Sequence, residues 1–176
     1  MAYDLLGDSE RAFAAYEVAL QNDPNNSDLV FNLGRLYYQG KNYEMAIEKF
    51  KLVLEAKPND YEANVNVGNA YLLLAEAAMQ KYRDMDEKQL AKVPKEEFDA
   101  DQEKSKTGYK AAVPYLEKAV AISLDKKGAW YNLAVAYVQS GEAKKGERCF
   151  AIADEVDGGN YLQATNFIDE YLSHLK

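Results

Sequence analysis

The chain has few of the residues that form disulfides, break helices or bind metals through a thiol or imidazole group. Its 176 residues include one cysteine, Cys149, one histidine, His174, four prolines and ten glycines. A single cysteine excludes an intramolecular disulfide framework. The two residues lie 25 positions apart, so a Cys–His catalytic pair and a multi-histidine metal site are not expected. The small number of helix-breaking residues favours an α-helical protein.

Long apolar runs and excess positive charge are also missing. No apolar segment approaches the ~18 residues that a membrane span needs, and residues 1–13 are neither basic nor apolar enough for a signal peptide. The formal net charge is −8, which argues against a phosphate-binding face. We therefore expect no membrane insertion and no nucleic-acid partner. One cysteine fits a reducing compartment such as the cytoplasm, and export is the alternative, so localisation stays open.

The sequence repeats itself every 34 residues. Gly34 and Gly68 are one period apart, as are Pro24 and Pro58, and this period is typical of stacked helical hairpins. Residues 27–60 resemble the tetratricopeptide-repeat signature, with only its leading tryptophan replaced by Val30. The matching positions are Leu33, Gly34, Tyr37, Ala46, Phe50 and Pro58. The resemblance implies an all-α, right-handed solenoid of helical hairpins that serves as a protein-interaction scaffold.

The repeat divides the chain into five segments. Residues 1–26 correspond to the second half of a repeat, 27–60 to a full repeat, 61–126 to a repeat with an inserted hairpin at about 80–108, 127–160 to a further repeat, and 161–176 to a capping helix. The first segment lacks its partner helix, so we expect a piece of a longer repeat protein, with a stub helix as the alternative. Ala12, Tyr16 and Ala19 should then be exposed or covered by a second copy, which makes a homodimer possible.

The third segment contains an insertion of 32 residues. The small residue expected at Gln80 is found instead at Ala112, followed by Leu116. The flanks are rich in helix-forming residues, so we predict a first helix reaching about Leu90, a turn near Val93–Pro94 and a long returning helix. Thirty helical residues span ~45 Å, so the hairpin should protrude. Pro114 predicts a kink or a break in the returning helix.

Two short motifs resemble a phosphate-binding loop and a calcium-binding loop, but each lacks residues that the site requires. Gly141 and Gly146 have the spacing of a phosphate loop, but Glu147 and Arg148 follow where lysine and serine or threonine belong. The acidic run that begins at Asp99 opens like a calcium loop but lacks its turn glycine. We therefore predict no catalytic, cofactor-binding or metal-binding residues, and no enzyme.

The concave face is the remaining candidate surface. The family geometry places nine mostly apolar side chains there: Phe31, Arg35, Tyr38, Val65, Asn69, Leu72, Tyr131, Val135 and Val138. An exposed apolar patch of this kind favours a ligand, and the alternative is that the inserted hairpin or adjoining repeats cover it. Some relatives hold a chaperone carboxylate with polar side chains, but only Asn66 matches that set. Arg35 either binds a carboxylate or pairs with Asp28 or Glu62.

Together these observations predict a non-enzymatic scaffold that binds a peptide or helix of another protein in its concave groove. The alternative is a structural module that self-assembles through the open N-terminal helix or the inserted hairpin.

Overall fold

A computed structural model describes residues 9–175, and within this range the protein consists of nine α-helices without a strand. The predicted all-α solenoid is confirmed. The helices are α1 (Ser9–Asn22), α2 (Ser27–Gln39), α3 (Tyr43–Ala56), α4 (Tyr61–Met79), α5 (Glu87–Leu90), α6 (Lys95–Ile122), α7 (Lys127–Ser140), α8 (Ala143–Asp157) and α9 (Leu162–Tyr171). Short 3-10 helices span Gln80–Tyr82 and Ser173–Leu175. Residues 1–8 of the predicted partial repeat lie outside the described range.

Side-chain caps fix where the hairpin helices begin. The carbonyl oxygen of the Asn26 side chain accepts hydrogen bonds from the backbone N–H groups of Asp28 and Leu29, both at 3.1 Å, at the start of α2. Asn42 caps α3 and Asp60 caps α4 in the same way. These bonds satisfy amide groups that have no partner within the helix.

Glycines let the two helices of a hairpin approach closely. A β-carbon on Gly34 would lie 2.8 Å from the Phe50 ring, and one on Gly68 would lie 2.6 Å from Leu116. The two pairs are 16 and 48 residues apart in sequence. Leu116 therefore occupies the place of Phe50, and α6 is the second helix of the hairpin that α4 begins. The difference of 32 residues equals the predicted insertion.

The inserted segment differs from the prediction in its first limb. Helix α4 ends at Met79 and does not reach Leu90. The chain turns because Tyr82 points inward: its hydroxyl donates to Asp101 at 2.8 Å and its ring packs on Phe98 at 4.9 Å. A capping box formed by Asp86 and Gln89 then starts the short helix α5.

The returning limb is one helix of 28 residues, α6, which runs through Pro114 without a break. Proline removes one backbone donor, which leaves the carbonyl four residues earlier, that of Lys110, without its helical partner. Both residues are exposed, so water can reach the free carbonyl group. This exposure explains why α6 continues through a residue that usually ends a helix.

Helix α1 is packed against α2. Ala12 is 0% and Tyr16 is 4% exposed, and both share a cluster with Leu33 and Leu36. The expectation that Ala12 and Tyr16 are exposed or covered by a second copy is therefore wrong, whereas Ala19 is half-buried. The physical reason is that these side chains face the helix that follows α1 in the stack.

The largest cluster of buried side chains joins α6, α7, α8 and α9. Trp130, Tyr137 and Phe167 are fully buried there, and the Trp130 ring meets the Phe167 ring edge-on at 5.6 Å. The indole N–H of Trp130 donates to the carbonyl oxygen of Leu124 at 2.8 Å. Helix α9 closes this end of the described stack by burying Phe167 and Ile168, while Asp169 and Glu170 remain exposed.

Candidate binding groove

Helices α2, α4, α6 and α7 line a cavity of about 470 Å³, which we call the groove cavity. Its lining residues are Tyr38, Asn69, Leu72, Leu73, Glu76, Tyr109, Tyr131, Asn132 and Val135. Five of the nine predicted groove residues are among them: Tyr38, Asn69, Leu72, Tyr131 and Val135. The first helices of three successive hairpins thus bring together side chains that are up to 97 residues apart in sequence.

Two asparagines form a polar bridge across the groove cavity. The amide N–H of Asn132 donates to the side-chain oxygen of Asn69 at 2.7 Å. Both side chains are half-buried. This bond leaves the amide hydrogens of Asn69 as donors and the amide oxygen of Asn132 as an acceptor. The pair can therefore bond a polar group of a ligand from both sides.

Tyr131 is the aromatic side chain that the groove presents to solvent. It is 53% exposed, and its ring rests edge-on against Phe150 at 5.2 Å. Phe31 occupies the corresponding place in the first full hairpin, but it is half-buried against Phe50 at 5.3 Å. Tyr131 can therefore contact a ligand, whereas Phe31 contributes mainly to packing.

Tyr38 forms another part of the cavity wall. Its ring meets the Tyr43 ring edge-on at 5.5 Å. Burial, followed by the nearby Tyr43, raises the pKa of Tyr38 above its ordinary value. The hydroxyl group therefore stays protonated at neutral pH and can donate a hydrogen bond.

The other predicted groove residues do not line this cavity. Val65 is half-buried against the cluster that joins α6, α7, α8 and α9, which we call the C-terminal cluster, and Val138 is 36% exposed. Arg35 is exposed and forms no ion pair with any residue in the range 9–175. Asp28 pairs with Lys57 at 3.3 Å instead. Of the two alternatives for Arg35, pairing with Asp28 or Glu62 is therefore not found in this structure.

Two lining residues come from the insertion and its flanks, and the sequence pattern did not indicate them. Glu76 lies on the last turn of α4, and Tyr109 lies on α6, a second helix that would normally face away from the groove. The insertion prolongs α4 past the usual turn, so Glu76 reaches the end of the cavity, whereas Tyr109 occupies a position that the ordinary repeat also contains. One feature of the sequence could have indicated Tyr109: it aligns with Tyr43 of the preceding repeat, and Tyr43 packs against the groove residue Tyr38.

Reactive groups lie elsewhere. Cys149 is fully buried in the C-terminal cluster, and this burial raises the pKa of its thiol to about 12, so it is protonated at neutral pH. Among the residues that the structure describes, no three His, Cys, Asp or Glu side chains converge as metal ligands. Nor does any helix in this range combine the length and apolarity needed to cross a bilayer.

Comparison with known proteins agrees with this architecture. Residues 5–65 match the family model described as "Tetratricopeptide repeat". A MamA structure, "41-end from Desulfovibrio magneticus RS-1", superposes with a TM-score of 0.65 at 20% identity, covering 90% of this chain and 71% of that chain. A double mutant of MamA RS-1 gives 0.67 at 18% identity, with 90% and 71% coverage.

MamA AMB-1 gives a TM-score of 0.64 at 20% identity, covering 90% of this chain and 75% of that one. At these identities the solved structures establish the fold. No curated protein matches the chain. The class defined by the fold is an all-α helical-hairpin solenoid, and residues 5–65 of the chain are similar to the tetratricopeptide-repeat family.

Proposed function

We propose that the protein is a non-enzymatic scaffold that binds an apolar segment of a partner protein in the groove cavity. The observation that carries this proposal is the exposure of Tyr131, 53%, beside the half-satisfied pair of Asn69 and Asn132. A large aromatic side chain next to free hydrogen-bonding groups is the combination that partner surfaces use as an anchor.

The surrounding wall supports the same occupant. Leu72, Leu73 and Val135 supply apolar surface on α4 and α7, and the hydroxyl groups of Tyr38 and Tyr109 add donors at the edges. Covering such a wall with an apolar side chain removes water from both surfaces, which is the main favourable contribution in association. A ligand of this kind gains both apolar contact and hydrogen bonds.

Self-assembly is the second candidate function. Val18 on α1 is 58% exposed and Leu162 on α9 is 64% exposed, so both are more exposed than Tyr131. They lie on the first and last described helices. Two copies that met through these helices would cover apolar side chains that do not line the groove cavity, so the two functions can be distinguished by mutation.

The test compares two exposed tyrosines. A partner protein is first isolated from the source cell and purified, and its affinity is then measured for the wild type, Tyr131→Ala and Tyr161→Ala. Tyr161 is 41% exposed and lies outside the groove, at the start of α9. We expect Tyr131→Ala to weaken binding by about 2 kcal/mol or more, with Tyr161→Ala close to wild type and the helical melts of both nearly unchanged.

Phe31→Ala is unsuitable for this comparison because Phe31 is half-buried against Phe50, whereas Tyr131 is 53% exposed. Equal affinity of the wild type and Tyr131→Ala would exclude the groove as the binding surface. Loss of association in Val18→Lys or Leu162→Lys, together with a mass that rises with concentration, would favour self-assembly instead.

A further inference from the structure

The inserted hairpin contains a second cavity of about 450 Å³, which we call the hairpin cavity. Its lining residues are Glu76, Met79, Tyr82, Arg83, Leu90, Phe98, Ser105, Tyr109 and Gln139. Leu90 is 40% exposed at its edge. Glu76 and Tyr109 also line the groove cavity, so the two cavities adjoin and share a wall.

The positions of the two cavities along α4 and the 3-10 turn that follows it define a spacing. The chain touches the groove cavity from Asn69 to Glu76 and the hairpin cavity from Glu76 to Arg83. The second set of contacts is therefore displaced by about seven residues, or ~10 Å at the helical rise. Two apolar side chains at positions i and i+7 of a partner helix have the same separation and the same facing direction.

A carboxylate lies at the boundary between the cavities. Glu76 is the one Asp, Glu, Lys or Arg side chain among the described residues that line the groove cavity. Its Oε1 atom accepts a hydrogen bond from Arg83, whereas Oε2 has no hydrogen-bond partner in residues 9–175. Glu76 is ion-paired with Arg83, and both side chains are about half-exposed, so the second oxygen can accept from a further cation. The formal net charge of −8 favours a basic partner as well.

We propose that the two cavities form one site for an amphipathic helix of a partner protein. That helix carries two large apolar residues seven positions apart, with a lysine or arginine between them for Glu76. This inference rests on the proposed function and adds the insertion as the second half of the binding surface. A helix fits better than an extended segment because it satisfies its own backbone hydrogen bonds, whereas this all-α surface offers no strand edge.

The probe is a phage library of helix-forming peptides, randomised on one face and selected on the full chain. Selected peptides are then synthesised with a fluorescent label, and their affinities are measured by anisotropy. We expect the selected sequences to share apolar residues at i and i+7 and a lysine or arginine between them. A selection dominated by proline-rich or other extended sequences would overturn the proposal, and so would failure to recover any binder.

The matched variants are Leu90→Glu and Ala91→Glu. Both add one negative charge at neighbouring exposed positions of the hairpin, but only Leu90 lines the cavity. We expect Leu90→Glu to weaken peptide binding by about tenfold or more and Ala91→Glu to leave it within about twofold. Circular dichroism melts check that both variants remain folded.

A charge cycle tests the role of Glu76. Glu76→Gln should weaken peptides that carry the cation by about fivefold or more, and the loss should vanish when the peptide's own basic residue is replaced by glutamine. Equal losses for both peptides would show that Glu76 does not bind the cation and would overturn that part of the proposal.

Tyr131→Ala separates this inference from the proposed function. If Tyr131→Ala weakens peptide binding but Leu90→Glu does not, the groove cavity remains a binding site and the proposal that the hairpin cavity is part of that site is overturned. Peptides insensitive to both variants would overturn both proposals. A second copy of the chain that displaced the peptides would identify self-association as the occupant and would count against a basic partner helix.

Discussion

At the scale of single residues, packing inside the hairpins depends on positions that have no room for a β-carbon. The Gly68 backbone lies against Leu116, and that of Gly34 lies against the ring of Phe50. In the last hairpin the small residues exchange places: Ala134 takes the position of glycine on α7, and Gly146 on α8 lies against it. The close approach is therefore kept while the glycine changes helix.

We expect Gly68→Ala to destabilise the protein. Its new β-carbon would lie 2.6 Å from Leu116, which is fully buried and cannot move away freely, so a loss of about 1–3 kcal/mol in unfolding free energy is expected. Gly128→Ala is the control, because no atom outside its own helix backbone and chain neighbours lies within 4 Å of the added carbon. Alanine in this helical position should stabilise by up to about 1 kcal/mol. Urea denaturation of both variants measures the effect, and a shift of the same sign in both would contradict the steric account.

The repeat pattern predicts which residues occupy equivalent positions better than it predicts how exposed those residues are. The 34-residue period and the 32-residue offset paired Gly68 with Leu116 across the insertion, as the structure has it. The same pattern gave Phe31 and Tyr131 one role, yet only Tyr131 is exposed. The two rings lie at nearly equal distances from the aromatic residue of the second helix, 5.3 Å and 5.2 Å, so the difference in exposure depends on the other side chains around them, which periodicity does not specify.

At the scale of elements, the inserted hairpin has its own small set of contacts. The Lys81 ammonium group pairs with Glu97 at 2.5 Å and with Asp101 at 2.7 Å, and Tyr82 bonds the same aspartate. Hydrogen bonds to Lys81 and Tyr82 lower the pKa of Asp101. These contacts join the two limbs of the insertion, and the Phe98 ring covers Tyr82.

Deleting residues 81–106 and closing the gap with a short glycine-containing turn should therefore leave a folded stack. The deletion removes both sides of each of these contacts together, while the contacts of Gly68 with Leu116 and of Gly108 with Ala75 remain. We expect a cooperative thermal melt with a modest loss of stability, because no buried charge is left without its partner.

The control for this deletion is Tyr82→Ala, which removes one partner and leaves Asp101 and Phe98 in place. We expect it to raise amide hydrogen exchange in the hairpin while α7 and α8 stay protected. Loss of the cooperative melt in the deletion variant would mean that the hairpin is part of the main core.

The first limb of the insertion could not be predicted from the sequence because no period constrains it. Residues 74–90 contain neither glycine nor proline, so local propensity favours one long helix. The chain ends α4 at Met79 because Tyr82 meets Phe98 and Asp101 from the other limb. Contacts between the two limbs, whose register the sequence does not specify, therefore override local propensity.

At the scale of the whole molecule, the described residues form three clusters of buried side chains along the stack. The cluster that joins α6 to α9 contains Trp130, Tyr137 and Cys149 and is the largest of the three. In solenoids each hairpin contacts mainly its neighbours, so parts of the stack can open separately. The buried thiol of Cys149 reports on the opening of this cluster because it is inaccessible while the cluster is closed.

The pKa of Cys149 gives the stability of the whole chain a pH dependence with a definite sign. Burial raises the folded-state pKa to about 12, whereas a cysteine in an unfolded chain ionises near ~8.5. The stabilisation of the neutral thiol is fully present below the unfolded value and is lost as pH rises between these two values. Within that window the wild type should lose up to about 1.4 kcal/mol of unfolding free energy per pH unit more than Cys149→Ala does. Urea denaturation of both proteins at pH 8 and pH 10 measures this difference, and alkylation by iodoacetamide at pH 8.5 should proceed only as fast as the cluster opens. Parallel pH profiles for the two proteins, or rapid alkylation of the native chain, would show that the thiol is not held in a closed core.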